Sequence, residues 1–229
     1  MNRFVLLILV GALFVSSALA SSTDCPNPGP YSSYIGITCM TGNLTFGGFG
    51  YTSSSTGTPI PSSAVTVTPI TTTLDEGFQF QPSGMTATTI LAGRNETSDI
   101  IISYFVTDPF GITGLELTFD GTFTGTGLAG IMESYCLNQT TMAGCPALNM
   151  GVISVTNPPT LTSNSVTFGA VTSIAISKDF SVASGTNGSA TITMGTNTFT
   201  NEVPEPISWM FLGTGLAGLL LLRRRLYKR

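Results

Sequence analysis

Leu115-Glu116-Leu117-Thr118-Phe119 alternates apolar and polar residues, as do Val65-Thr66-Val67-Thr68, Phe78-Gln79-Phe80-Gln81 and Ile174-Ala175-Ile176-Ser177. A period of two places alternate side chains on opposite faces of an extended chain, so each run predicts a strand with one buried face. Residues 100–106 are apolar on both faces and predict a central strand covered from two sides, or one beneath a loop. Further β-branched and aromatic stretches at 44–51, 130–135, 152–155, 166–168 and 190–194 stand between clusters of Gly, Pro, Asn and Ser. No helical period competes with this pattern. No repeat of fixed length points to a solenoid or propeller. Roughly ten strands follow, and two packed sheets are the natural way to bury their apolar faces. The fold class expected for residues 21–202 is therefore all-β, an antiparallel β-sandwich, jelly-roll-like. Asp108-Pro109, Asp120-Gly121 and Thr186-Asn187-Gly188-Ser189 are expected as turns, the last as a hairpin, and 52–63 as a loop.

Charged residues make up only 9% of the chain, against roughly 25% in ordinary soluble domains. Surface polarity must come from hydroxyls and amides. All twelve acidic residues lie between Ser21 and Pro206, where Arg94 and Lys178 alone oppose them. Such a surface repels nucleic acid. The remaining cations are Arg3 and five residues of the tail, where they bear on membrane topology.

Residues 1–20 have the form of a signal peptide: Arg3, an apolar stretch from Phe4 to Val15, then Ala18-Leu19-Ala20 in the small-x-small pattern. Cleavage is expected between Ala20 and Ser21. At the other end Ile207 to Leu222 is an uncharged run of 16 residues. As a helix it reaches about 24 Å, slightly short of a bilayer core. Trp209 suits the interfacial belt, and Arg223, Arg224, Arg225, Lys228 and Arg229 mark the cytoplasmic side. The expected precursor is held in the membrane by one C-terminal transmembrane helix, with its body outside and its arginines inside. Pro204 and Pro206 oppose helix continuation upstream, leaving Val203 to Pro206 extended and accessible.

Val203-Pro204-Glu205-Pro206, the apolar span with Gly213, Gly215 and Gly218, and Arg223-Arg224-Arg225 occur in that order. Together they resemble the PEP-CTERM sorting signal of Gram-negative bacteria, here over 203–229. The resemblance implies recognition of Val203, Pro204, Glu205 and Pro206 by exosortase, an integral-membrane processing enzyme. It also implies association with exopolysaccharide and biofilm, and a final location at the cell surface or in the extracellular matrix.

All four cysteines lie in the body, which is expected in an oxidising compartment. Three pairings are possible. Cys25 with Cys39 and Cys136 with Cys145 are favoured because each closes a short loop containing Pro or Gly turn residues. Zinc is disfavoured by the absence of histidine and of a Cys-x-x-Cys pair, and no metal or other cofactor is expected.

The absence of histidine also excludes Ser-His-Asp and Cys-His catalysis. A carboxylate pair could still act. Glu116 and Glu133, however, lie within strand alternation and are expected to face solvent. The body is therefore expected to be non-enzymatic. The competing expectation is a carbohydrate-binding module, for which Tyr31, Tyr34, Phe49 and Tyr51 are the nearest candidate stacking platforms, although the strand spacing of Phe49 and Tyr51 favours a place in the core.

Overall fold

The computed structural model describes residues 23–72, 75–90 and 93–201. The leader, with Ala18, Ala20 and Ser21, lies outside the described residues. So do Val203, Pro204, Glu205 and Pro206, the apolar span, and the basic cluster. Among the described residues no helix is long and apolar enough to cross a membrane.

Eleven strands form among those residues: β1 Gly29–Pro30, β2 Cys39–Thr41, β3 Leu44–Ser55, β4 Val65–Thr71, β5 Glu76–Pro82, β6 Thr86–Thr88, β7 Thr97–Gly125, β8 Leu128–Leu137, β9 Met150–Asn157, β10 Ser163–Ala183 and β11 Gly188–Asn201. All pair antiparallel. Among the described residues helical structure is confined to the 3-10 turns Tyr31–Ser33 and Ser62–Ala64.

Two long strands turn this sheet into two facing layers. The first half of β7, residues 97–107, pairs with β3 on one side and with residues 173–183 of β10 on the other. Its second half, 112–125, pairs with β11 and with residues 163–167 and 171 of β10. At the bend Val171 pairs with Ile112 and Ser173 with Thr107, so Asp108 to Gly111 face Thr172 alone. A bulge of this kind bends a strand and re-aims it. One layer then runs β2-β3-β7-β10-β8-β9 and the other β1-β4-β5-β11-β7-β10, with β6 added along β11.

The sandwich interior is the meeting of the two inner faces. Phe46 of β3 packs against Phe78 of β5 with ring centroids 4.4 Å apart, and Phe180 of β10 against Phe80 of β5 at 6.1 Å. Gly195 of β11 makes room for the second contact, since a Cβ there would meet the Phe180 ring at 2.6 Å. Ile100, Ile102, Tyr104 and Val106 point inward while Ile101 is exposed, so 100–106 is an interior strand segment with one wet side.

Three turn expectations are corrected. Asp108-Pro109 sits at the bend of β7, where Phe110 N donates to Asp108 Oδ1 at 2.8 Å and the chain changes partners without reversing. Asp120-Gly121 is also inside β7, at a register shift opposite Ile192 to Met194. Residues 184–187 carry the chain from β10 to β11, which are not ladder partners, so this link crosses between layers and is no hairpin. Residues 52–55 of the expected loop belong to β3.

Cys25 is bonded to Cys39 and Cys136 to Cys145, with Cα atoms 4.8 and 5.9 Å apart. The first ties the N-terminal segment to β2. The second pins residues 138–149, between β8 and β9, back to β8. Replacing Cys136 and Cys145 together by serine is expected to cost about 2–3 kcal/mol of stability, the chain-entropy value for a loop this short. Urea denaturation without reductant measures it.

Candidate functional site

Of the four aromatics proposed as sugar platforms, Tyr31, Tyr34 and Phe49 are core residues, and half-buried Tyr51 packs against that core and also lines the cleft described below. Tyr31 and Tyr34 are fully buried and Phe49 is 6% exposed. Tyr31 packs edge-on against Phe49 at 6.0 Å and tilted against Tyr51 at 5.7 Å; Tyr34 packs against Phe78 at 5.6 Å. Their hydroxyls donate to backbone carbonyls: Tyr31 to Gly50 and Ser103 at 3.0 Å, Tyr51 to Ile60 at 2.7 Å, and Tyr34 to Pro26. Burial holds the phenols of Tyr31, Tyr34 and Tyr51 above the usual phenol range. Buried Tyr side chains with satisfied hydroxyls are core elements.

Space for a ligand lies on the outer face of the β3-β7-β10 layer. The loop pinned by Cys136–Cys145 brings Thr140, Thr141 and Met142 over Thr52, Ile101, Ser103 and Ser177, enclosing a cleft of about 290 Å³. Ser103 and Ser177 are direct cross-strand partners. Near the cleft, β3 bulges between Gly47 and Gly50, and Gly48 has φ +66°, a conformation that favours glycine. Phe105 packs on that bulge: a Cβ on Gly48 would meet its ring at 2.9 Å. The cleft therefore offers hydroxyl donors and acceptors beside the apolar side chains of Ile101 and Met142, which suits a neutral ligand with polar and apolar faces.

Asp179 lies one strand from Ile101, opposite it in register. Burial first, and then repulsion from Asp99, hold its carboxyl above the usual range. A carboxyl raised in the folded state contributes stability below its unfolded pKa and loses it as pH rises through the folded one. Asp179→Asn is therefore expected to be more stable than wild type at pH 7, by a fraction of about 1 kcal/mol for a part-exposed group. That gain should vanish as pH falls below the ordinary carboxylate value, as urea denaturation at pH 7 and pH 3.5 would show.

The second polar feature is in the core. Glu133, expected to face solvent, is fully buried between Ile131 and Tyr135 on the inner face of β8. Across the ladder it faces Lys178 of β10, also fully buried within the stripe Ile174, Ile176, Phe180 and Val182. Lys178 Nζ donates to Glu133 Oε2. From the opposite layer Asn197 of β11, fully buried, donates through Nδ2 to Glu133 Oε1 at 3.3 Å and to the Glu116 carbonyl at 3.1 Å. Its Oδ1 accepts from the Tyr104 hydroxyl. Burial pushes the Glu133 carboxyl up and the Lys178 amine down, each against the pull of its partner. The Tyr104 phenol is held well above its usual range, chiefly by burial and also by Glu133.

This network had a signal in the sequence. Glu133 and Lys178 each interrupt a period-two apolar stripe, and opposite charges in two such stripes suggest partners. Among the described residues no three Cys, Asp or Glu side chains gather to hold a metal. Glu116 is outward, accepting from Ser163 Oγ at 2.8 Å.

Beyond β11, residues 202–225 match the PEP-CTERM protein-sorting motif. The chain carries an exosortase sorting signal. The motif begins at the residue after the end of β11. No curated protein matches the sequence. Among solved structures, TmCBM61 in complex with beta-1,4-galactotriose aligns at 13% identity and a TM-score of 0.31, over 66% of this chain and 88% of that one. The Glycosylation Associate Protein (Gap123) complex from Streptococcus agalactiae aligns at 8% identity and a TM-score of 0.27, over 66% of this chain. This chain spans 26% of that chain's length. Both TM-scores are too low for either likeness to bear on function.

Proposed function

We propose that this is a non-enzymatic surface or extracellular-matrix protein, exported behind its leader, sorted by exosortase and associated with exopolysaccharide or biofilm outside the cell. The observation that carries this reading is the PEP-CTERM motif placed directly after the last strand of the sheet. The precursor sits in the inner membrane through the span at 207–222, with Arg223, Arg224, Arg225, Lys228 and Arg229 on the cytoplasmic side. The hydroxyl-rich, charge-poor body is compatible with a hydrated polysaccharide matrix. Replacing Pro204, Glu205 and Pro206 with alanine is expected to leave nearly all of the protein as full-length precursor in the inner-membrane fraction. Unchanged processing would refute the sorting role.

The cleft under the disulfide loop favours a second reading, a carbohydrate-binding module that engages a neutral glycan through Ser103, Ser177, Thr140 and Thr141. Residues 23–201 contain the whole described sheet, so a soluble body can be incubated with the host's exopolysaccharide. Saturable binding that is lost in Ser177→Phe, which fills the cleft, supports the module. Absence of binding by a body that is still retained in the matrix supports the passive role.

A further inference from the structure

The groups around Glu133 are more than an ion pair requires. Its two carboxyl oxygens touch two different nitrogens: the Lys178 amine on Oε2 and the Asn197 amide on Oε1, the latter at 3.3 Å. The oxygen of that amide accepts from Tyr104. A primary amine, a carboxamide with a donor on its carbonyl, and one carboxyl joining both nitrogens are enclosed together. Lys178, Glu133 and Asn197 are all 0% exposed. We propose that Lys178 and Asn197 are joined by a side-chain amide bond that forms within the folded domain, with Glu133 carrying the proton and Tyr104 polarising the carbonyl.

The reaction balances without any further reactant. The neutral Lys178 Nζ adds its lone pair to Asn197 Cγ, and the Tyr104 hydroxyl holds the charge that develops on Oδ1. Glu133 accepts the proton that Nζ sheds and delivers one to Nδ2. The Cγ–Nδ2 bond breaks, ammonia leaves, and Nζ remains bonded to Cγ. No electron transfer is involved. Burial moves the pair toward amine and carboxylic acid, the protonation states that the attack needs. Enclosure holds the reactants together at a high effective concentration and excludes competing water. Lys178 belongs to the β3-β7-β10-β8 layer and Asn197 to the layer opposite, so the bond staples the two halves of the sandwich. A covalent staple suits a protein that works outside the cell, where no chaperone can refold it.

The test is the intact mass of the purified exported protein, reduced and denatured, against the mass calculated from its own termini. A deficit of one ammonia is expected, together with a linked peptide pair containing Lys178 and Asn197 once chymotrypsin has cut the chain between them at Phe180. Between Ser21 and Pro206 only Arg94 and Lys178 offer tryptic sites. Trypsin is expected to cut denatured wild type after Arg94 and to leave the bond after Lys178 intact. Glu133→Gln and Lys178→Arg should both show the full calculated mass. Because either variant could misfold, the wild-type peptide map decides. An uncut Lys178 in the linked peptide supports the bond, whereas free Lys178 with no mass deficit overturns it. An ammonia deficit mapped to Asn187-Gly188, where a succinimide would form, overturns it too. So does a deficit of one water, which would join Lys178 to Glu133 instead.

Discussion

Lys178→Met is expected to lower the unfolding free energy of the β-domain by about 3–5 kcal/mol, the loss typical of removing one member of a buried ion pair. The urea midpoint should fall with little change in slope. The reason lies in what remains. Glu133 stays fully buried, and among the described residues its other side-chain partner is the Asn197 amide at 3.3 Å. Its carboxyl must either stay charged without a cation or take a proton in the core, and both are costly. The double variant Lys178→Met, Glu133→Leu separates two origins of the loss. A purely ionic pair replaced by apolar side chains of similar volume is often neutral in stability or better. With a Lys178–Asn197 bond in wild type, the double variant remains clearly weaker, because the staple is gone as well. A double variant as stable as wild type would sink the staple and leave the buried pair standing.

Local pattern predicted the strands and missed their continuity. Leu115 to Phe119 and residues 100–106 were legible as half-buried and interior runs, yet they are two halves of one 29-residue strand. Pro109 and Gly111 between them carry the marks of a turn. What they make is a bend, because residues 173–183 and 163–167 of β10 pair with the two halves of β7 in succession. That pairing is long-range and leaves no local trace. The disulfides were legible for the opposite reason: each closes over 14 residues or fewer, so sequence proximity carried the information. The core network falls between these cases. Parity along β8 and β10 places Glu133 and Lys178 inward, since Ile131 and Tyr135 flank the one and Ile176 and Phe180 the other. Asn197 comes from the facing layer, and only the folded arrangement shows that it meets them. Aromatic content alone cannot distinguish a stacking surface from a core, so burial decides for Tyr31 and Tyr34, as strand spacing already suggests for Phe49 and Tyr51.

Phe78→Ala is expected to cost about 3–5 kcal/mol, at the level of a buried Phe truncated in a core that cannot close around the loss. Phe78 is fully buried at the meeting of the two layers. Its ring centroid lies 4.4 Å from that of Phe46, 5.6 Å from Tyr34, 6.0 Å from Phe49 and from Phe80, and 6.1 Å from Tyr104. Those neighbours come from β3, β5, β7 and the segment before β2, so no single shift can refill the void. Phe78→Leu, which keeps most of the volume, should cost less than about 2 kcal/mol. A loss below 1 kcal/mol for the alanine variant would contradict this central role. Phe78 is also the ladder partner of Asn197, so the cavity opens beside the polar network. Water admitted there would restore the charge on Lys178 and slow its attack on the amide. The alanine variant should therefore contain a fraction of unlinked protein alongside the linked form, whereas Phe78→Leu should link fully. Intact-mass spectra of the two variants would show whether a dry core is a condition for the bond.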